Sequence, residues 1–214
     1  VEQFLKRIEF PYTVGYGATE CAPIICYADY QEFVAGSCGK PVVHMEVKID
    51  SPDPENVPGE ILARGLNVML GYYKNEEATA QTLDAEGWYH TGDLGLMDSE
   101  GNVFIKGRSK NMLLGASGQN IYPEEIEDKL NSLAMVNECV VVQRGEKLVG
   151  LVYPDFDEAA TMRLNDSDLE KIMEENRQEL NATQPPYCRL SAIEIVHEEF
   201  EKTPKKSIKR YLYK

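Results

Sequence analysis

Leu94 to Met97 and Asn102 to Lys106 are short apolar runs separated by Asp98-Ser99-Glu100-Gly101. Turn formers of that kind between two short runs predict a β-hairpin. Asp93 then lies at the mouth of the first strand and Arg108 just past the end of the second, and in an antiparallel pair those ends are neighbours. A carboxylate that accepts from hydroxyls, beside a fork of guanidinium donors, suits a polyol such as ribose. Standing alone, the same pair is a rim salt bridge worth almost nothing. Directly after Arg108 the composition turns to Ser, Asn and Gly as far as Gln119, which predicts a linker. A hairpin with a site at its mouth therefore runs straight into a joint, and two domains are expected, residues 1–109 and 110–214.

Taken in order, Val1 to Glu9 carries Phe4, Leu5 and Ile8 at helical spacing and stops at Phe10-Pro11. Tyr12 to Val14 reads as a short strand entering Gly15-Tyr16-Gly17-Ala18-Thr19-Glu20. Glycines there let backbone approach a ligand closely, an aromatic ring can stack on a base, and Thr and Glu oxygens suit phosphate and Mg2+. The plainer reading is a turn with incidental polar residues. From Gly36 to Gly71 the pattern is one of short alternating strands, at Val43 to Ile49 and Glu60 to Arg64, broken by the loop Ser51 to Asn56. With the hairpin, these predict a small antiparallel sheet or barrel, in which Glu60 and Gly65 are structural and Trp88 belongs to the core. Glu76 to Leu83 makes a short helix.

After the joint the chain reads as a compact α+β domain, so the whole is α+β. Pro123, Glu124 and Glu125 open a helix with Ile126, Leu130 and Leu133 on one face. Cys139 to Gln143 and Leu148 to Tyr153 form a hairpin, and Arg189 to Val196 is a later strand. Ser167-Asp168-Leu169-Glu170 reads as a capping box opening a helix with Leu169, Ile172, Met173 and Leu180 inward.

Composition narrows the partners. With 22 Lys and Arg against 36 Asp and Glu the net charge is −14, a field that repels polyanions, so nucleic acid is not expected. No apolar run approaches the length of a membrane span and no signal-peptide pattern opens the chain, which makes a cytoplasmic protein the expectation. Five cysteines with no C-x-x-C spacing and three scattered histidines support neither a disulfide framework nor a zinc site.

Several segments carry a further signal. Tyr16-Gly17-Ala18-Thr19-Glu20, Gly59-Glu60-Ile61-Leu62-Ala63-Arg64-Gly65 running on to Gly71-Tyr72-Tyr73, Gly87-Trp88-Tyr89-His90-Thr91-Gly92-Asp93, Gly107-Arg108-Ser109-Lys110 and Gly118-Gln119-Asn120-Ile121-Tyr122-Pro123-Glu124-Glu125-Ile126-Glu127 resemble, in order, core motifs of the adenylate-forming enzymes. That family holds the acyl-CoA synthetases, the adenylation domains of peptide synthetases and firefly luciferase. The resemblance implies adenine on Tyr16, the α-phosphate at Thr19, Mg2+ at Glu20, and ATP, Mg2+ and CoA as the small molecules used. It also implies a hinge at Lys110, a pantetheine tunnel lined by 115–118 with Gly118, and a mobile C-terminal lid domain after the end of a larger adenylating domain.

The family's last motif falls on Lys202-Thr203-Pro204-Lys205-Lys206-Ser207-Ile208-Lys209-Arg210, where counting from Thr203 or Arg210 places the family's lysine on Ser207. That lysine stabilises charge developing on the α-phosphate and carboxylate oxygens. Lys206, one residue earlier, is the candidate for it, with Lys205 and Lys209 behind. A solvated basic tail and a patch for anionic lipid, hence peripheral membrane contact, are the other readings of this cluster. The function implied is that of the C-terminal part of an ATP-dependent carboxylate:CoA ligase, with long-chain fatty acids as the acids because GRSKNM and TPKKSIKR are similar to that branch. An acyl-AMP ligase loading a carrier protein and a non-catalytic nucleotide-binding module are the alternatives. The family's phosphate loop is not among these residues, so the 214-residue chain alone is expected to be inactive.

Overall fold

The computed structural model describes residues 2–115, 117–204 and 206–213, with Gln3 described by its backbone alone. Ala116 and Lys205, which belong to the expected tunnel segment and basic cluster, lie outside the described residues. The chain divides into two compact units, Val1–Lys110 and Asn111–Lys214.

In the first unit a short helix α1 (Glu2–Arg7) precedes a three-stranded sheet of β1 (Tyr16–Gly17), β2 (Ile24–Tyr27) and β3 (Lys40–Pro41). The expected strand at Tyr12 to Val14 does not form. There the Thr13 hydroxyl donates to the Ala28 carbonyl at 2.7 Å, and ladder pairing starts only at Tyr16 opposite Cys26. A second, antiparallel sheet has the order β4 (Met45–Asp50), β5 (Gly59–Gly65), β6 (Tyr89–Met97) and β7 (Val103–Arg108). It stays open, ending on β4 and β7, so the barrel half of the expectation is replaced by a sheet; four strands are too few to close with side chains inside. Helix α2 (Glu76–Thr82) sits between β5 and β6, capped by the Asn75 side chain accepting from the Ala78 amide at 3.0 Å. Tyr16, Ile25, Cys26, Ile49, Ile61, Ala63, Tyr89 and Val103 share one core. Trp88 is 7 % exposed, with Lys48 Nζ 4.2 Å and the Arg64 guanidinium 4.4 Å from its ring centroid.

In the second unit, β8 (Leu113–Leu114) and β9 (Asn120–Ile121) pair around a tight turn, so the expected linker is structured at its far end. Helix α3 (Pro123–Leu130) follows, with Pro123, Ile126 and Leu130 buried. A mixed sheet then forms in the order β10 (Val136–Arg144), β11 (Lys147–Pro154) and β12 (Leu190–Ile195), antiparallel then parallel. Between β11 and β12 lie α4 (Phe156–Met162), which no sequence expectation covered, and α5 (Asp166–Thr183). The capping box of α5 lies two residues earlier than expected. Asn165, not Ser167, accepts from the Asp168 amide, and the Asp168 carboxylate accepts from the Asn165 amide. Leu169, Met173 and Leu180 face inward at 2 % exposure each, which stabilises the unit by roughly 2 kcal/mol per side chain.

Candidate functional site

The site is built where β6 departs from regular pairing. Glu60 pairs with Leu94 and Leu62 with His90, so Ile61 alone faces the three residues Thr91, Gly92 and Asp93. Such a bulge bends the strand and re-aims a side chain, and it leaves backbone groups that need new partners. Here side chains supply several of them. The Thr91 hydroxyl donates to the Ile61 carbonyl at 2.7 Å and accepts from the Asp93 amide at 3.0 Å. The Gly92 amide donates to one Glu60 carboxylate oxygen at 2.9 Å while the other sits 2.9 Å from His90 Nδ1. Gly92 itself has φ +70, a conformation that favours glycine.

The bulge presents Asp93 opposite Arg108 on β7, the pairing the hairpin requires. Arg108 Nε lies 2.8 Å from Asp93 Oδ1, and its Nη1 donates to the Thr91 carbonyl at 3.0 Å. The Tyr16 hydroxyl donates to Asp93 Oδ2 at 2.6 Å, across 77 residues of sequence. Asp93 is thus a carboxylate 12 % exposed at its side chain, gripped by a phenol on one oxygen and a guanidinium on the other, with 58 % of the Arg108 side chain open to solvent. Tyr16 is 6 % exposed, so only a sliver of its ring remains for a base to cover and its chief contribution here is to hold Asp93. Burial first, and then the Asp93 charge, push the Tyr16 phenol far above its ordinary value of 10, which keeps it a donor.

Two further motif residues meet each other. Glu20 accepts from the Tyr72 hydroxyl at 2.8 Å, and its carbonyl accepts from the Met69 amide at 2.7 Å, so two segments some fifty residues apart are tied together. Thr19 is exposed in the short helical turn Thr19–Cys21. Gly17 has a structural reason: a Cβ there would stand 2.1 Å from the Pro23 carbonyl oxygen. Mg2+ keeps waters and is bound by one or two carboxylates plus substrate phosphates. Toward that pattern Glu20 offers one carboxylate, held in place by the Tyr72 hydroxyl.

The remaining expected residues lie apart from this cluster. Lys110 is exposed in the turn Ser109–Asn111 that leaves β7, at the boundary between the two units. Gly118, at φ +82, belongs to the turn between β8 and β9, where its amide donates to Gly115 at 2.9 Å. A cleft of about 460 Å3 in the second unit is lined by Gly115, Ser117, Lys147, Tyr187 and Arg189 among others. Lys206 is exposed at φ +61, whereas Lys209 is paired with Glu201 and Lys202 with Glu138. Sequence reasoning missed the supports of the site. Thr91 and Tyr72 were visible only as parts of motifs, with no role attached, and Glu60 only as structural.

The AMP-binding enzyme family model matches residues 1–73 and that of the AMP-binding enzyme C-terminal domain matches residues 110–213. The chain belongs to the AMP-binding, adenylate-forming enzyme family. It is 37 % identical over 194 residues to 4-coumarate–CoA ligase 2 of Oryza sativa subsp. japonica, covering 86 % of this chain and 33 % of that protein. With the long-chain-fatty-acid–CoA ligase of Escherichia coli O157:H7 it shares 43 % identity over 133 residues, 60 % of this chain and 23 % of the relative. The chain therefore spans a third or less of the length of these relatives. Among solved structures, O-succinylbenzoate coenzyme A synthetase from Bacillus subtilis in complex with AMP matches at a TM-score of 0.77 and 23 % identity, over 99 % of this chain and 42 % of that one. At that identity the likeness establishes the fold.

Proposed function

We propose that this chain is the C-terminal part of an AMP-forming carboxylate:CoA ligase of the cytoplasm, with long-chain fatty acids as its acids. The observation that carries the nucleotide half of this reading is the Tyr16–Asp93–Arg108 chain of hydrogen bonds, in which a buried carboxylate is held at the β6 bulge beside a half-exposed guanidinium. Asp93 accepts from ribose hydroxyls, Arg108 donates to them, adenine lies along the exposed edge of Tyr16, and Thr19 meets the α-phosphate. Mg2+, when bound at Glu20 with the nucleotide phosphates, neutralises charge on them. Lys206 approaches the α-phosphate and carboxylate oxygens as the acyl-adenylate and pyrophosphate form. The unit beyond Lys110 then turns about that residue, and CoA thiol displaces AMP. The cleft under Gly115 and Ser117, with Lys147 and Arg189 on its walls, offers room and positive charge for CoA.

The fatty-acid choice rests on the similarity of the GRSKNM and TPKKSIKR segments to that branch, while one relative is named for 4-coumarate and another for long-chain fatty acids. The test is pyrophosphate exchange by the full-length protein over a panel of fatty and aromatic acids, with free CoA and a phosphopantetheinyl carrier protein compared as acceptors. Long-chain acids and CoA should give the highest kcat/KM. A preference for 4-coumarate or for the carrier protein replaces the substrate or the acceptor accordingly. The 214-residue chain alone should exchange nothing, and carboxylate-dependent exchange by it would overturn the division of labour proposed here.

A further inference from the structure

The segment from Glu201 to Arg210 folds back on itself. Lys202 and Ile208 form an antiparallel bridge, and the Thr203 amide donates to the Ser207 carbonyl at 2.8 Å. The Lys206 amide closes the turn on the Thr203 carbonyl at 2.8 Å, and the Ser207 amide donates to the Thr203 hydroxyl at 3.2 Å. Lys206 stands exposed at the tip, and among the described residues of the turn it is the lysine outside any ion pair.

The stem is anchored on one strand. Lys202 Nζ reaches Glu138 on β10 at 2.6 Å, and Phe200, Ile208 and Tyr213 pack with Val140 and Val142 of the same strand. Because β10 is the edge of its sheet, groups pointing away from β11 lack strand partners. At Val141 two side chains supply them. The Val141 amide donates to Glu127 Oε1 at 2.5 Å, and its carbonyl accepts from Arg210 Nη1 at 3.4 Å. The circuit closes where Arg210 Nη2 donates to Glu127 Oε2. Glu127 is only 9 % exposed, and the Cys139 thiol donates to its backbone carbonyl at 3.6 Å.

We infer that Glu127 and Arg210 are positioning residues, a latch that closes the β10 edge and thereby sets where the basic turn holds Lys206. Arg210 lies four residues beyond the tip, and at roughly 3.3 Å per extended residue a fixed guanidinium leaves the turn little freedom to wander. The pair touches no reacting atom. It acts through the lysine, and so rests on the adenylation reading above.

The experiment uses the full-length protein with Lys206→Ala, Arg210→Gln, Arg210→Lys, Glu127→Gln and the double variant Lys206→Ala/Arg210→Gln. Pyrophosphate-exchange kinetics are read beside amide hydrogen exchange across residues 203–209. Misplacing a reacting group by about 1 Å costs on the order of 100-fold, so Lys206→Ala and Arg210→Gln should each lower kcat of adenylation by roughly that factor with little change in KM for ATP. The double variant should lose no more than the worse single, Arg210→Gln should deprotect 203–209, and Arg210→Lys should restore part of both. Additive losses, or an Arg210→Gln protein with unchanged protection of the turn, overturn the latch. If Lys206→Ala keeps full kcat while Arg210→Gln still deprotects the turn, the lysine assignment fails and the latch stands. Should Arg210→Gln fail to fold, Glu127→Gln carries the same comparison from the other side of the pair.

Discussion

Asp93 shows how much of a site can rest on one hydrogen bond made from far away. Its Oδ2 accepts from Tyr16 at 2.6 Å inside a side chain 12 % exposed, so water replaces the phenol poorly. Hydrogen bonds to charged groups are worth about 1.5–3 kcal/mol net, and Tyr16→Phe should lower unfolding stability by about that amount while weakening AMP binding. Urea denaturation and calorimetry of the variant measure both, and a Phe variant equal to wild type in each would make the bond incidental. Gly17 is a different kind of residue. Its motif suggested backbone left bare for a ligand, whereas a Cβ there runs into the Pro23 carbonyl oxygen at 2.1 Å. The glycine serves the packing of β1 on the turn that follows it.

The elements show the same division between local and distant causes. β6 and β7 pair as alternation and turn chemistry require, since both act within a few residues. The bulge at Thr91 to Asp93 depends instead on Glu60, 32 residues before Gly92, and no window of local sequence contains both. Helix α5 is also locally written, though its cap is taken by Asn165, the residue whose backbone geometry lets side chain and amide reciprocate. On its surface Glu174 is held down to about 2 from an ordinary 4.5, chiefly by the Arg177 guanidinium and then by Gln178. A carboxylate with a depressed folded value contributes stability that is complete above 4.5 and is lost as pH falls through about 2. Urea midpoints measured from about pH 5 to about pH 2 should therefore fall less steeply for Glu174→Gln than for wild type. Equal slopes would show that the exposed pair is screened to nothing.

Across the whole molecule, two cores divide the work. Ile61, 0 % exposed, anchors the first unit, and Leu130, 0 % exposed, anchors the second. Deleting either to Ala should cost about 2–5 kcal/mol, and only in its own unit. Scanning calorimetry should resolve two transitions, with Ile61→Ala lowering one and Leu130→Ala the other. A single transition lowered equally by both would mean that the units unfold together. The described helices include none long and apolar enough to cross a membrane. Of the basic cluster near the end, Lys202 and Lys209 already spend their charge on Glu138 and Glu201, which leaves less for an anionic surface than the composition of that segment suggests.

Sequence alone determined the hairpin and the adjacency of Asp93 and Arg108, because turn sterics and side-chain alternation act over a few residues. Tertiary structure decided which distant groups complete those local pieces: Tyr16 on Asp93, Glu60 under the bulge, Tyr72 on Glu20 and Arg210 on Glu127, the last across 83 residues. A buried polar atom must find a partner wherever packing brings one within about 3 Å. That partner is selected by how strands and helices stack, and its position in the chain carries no trace of the choice.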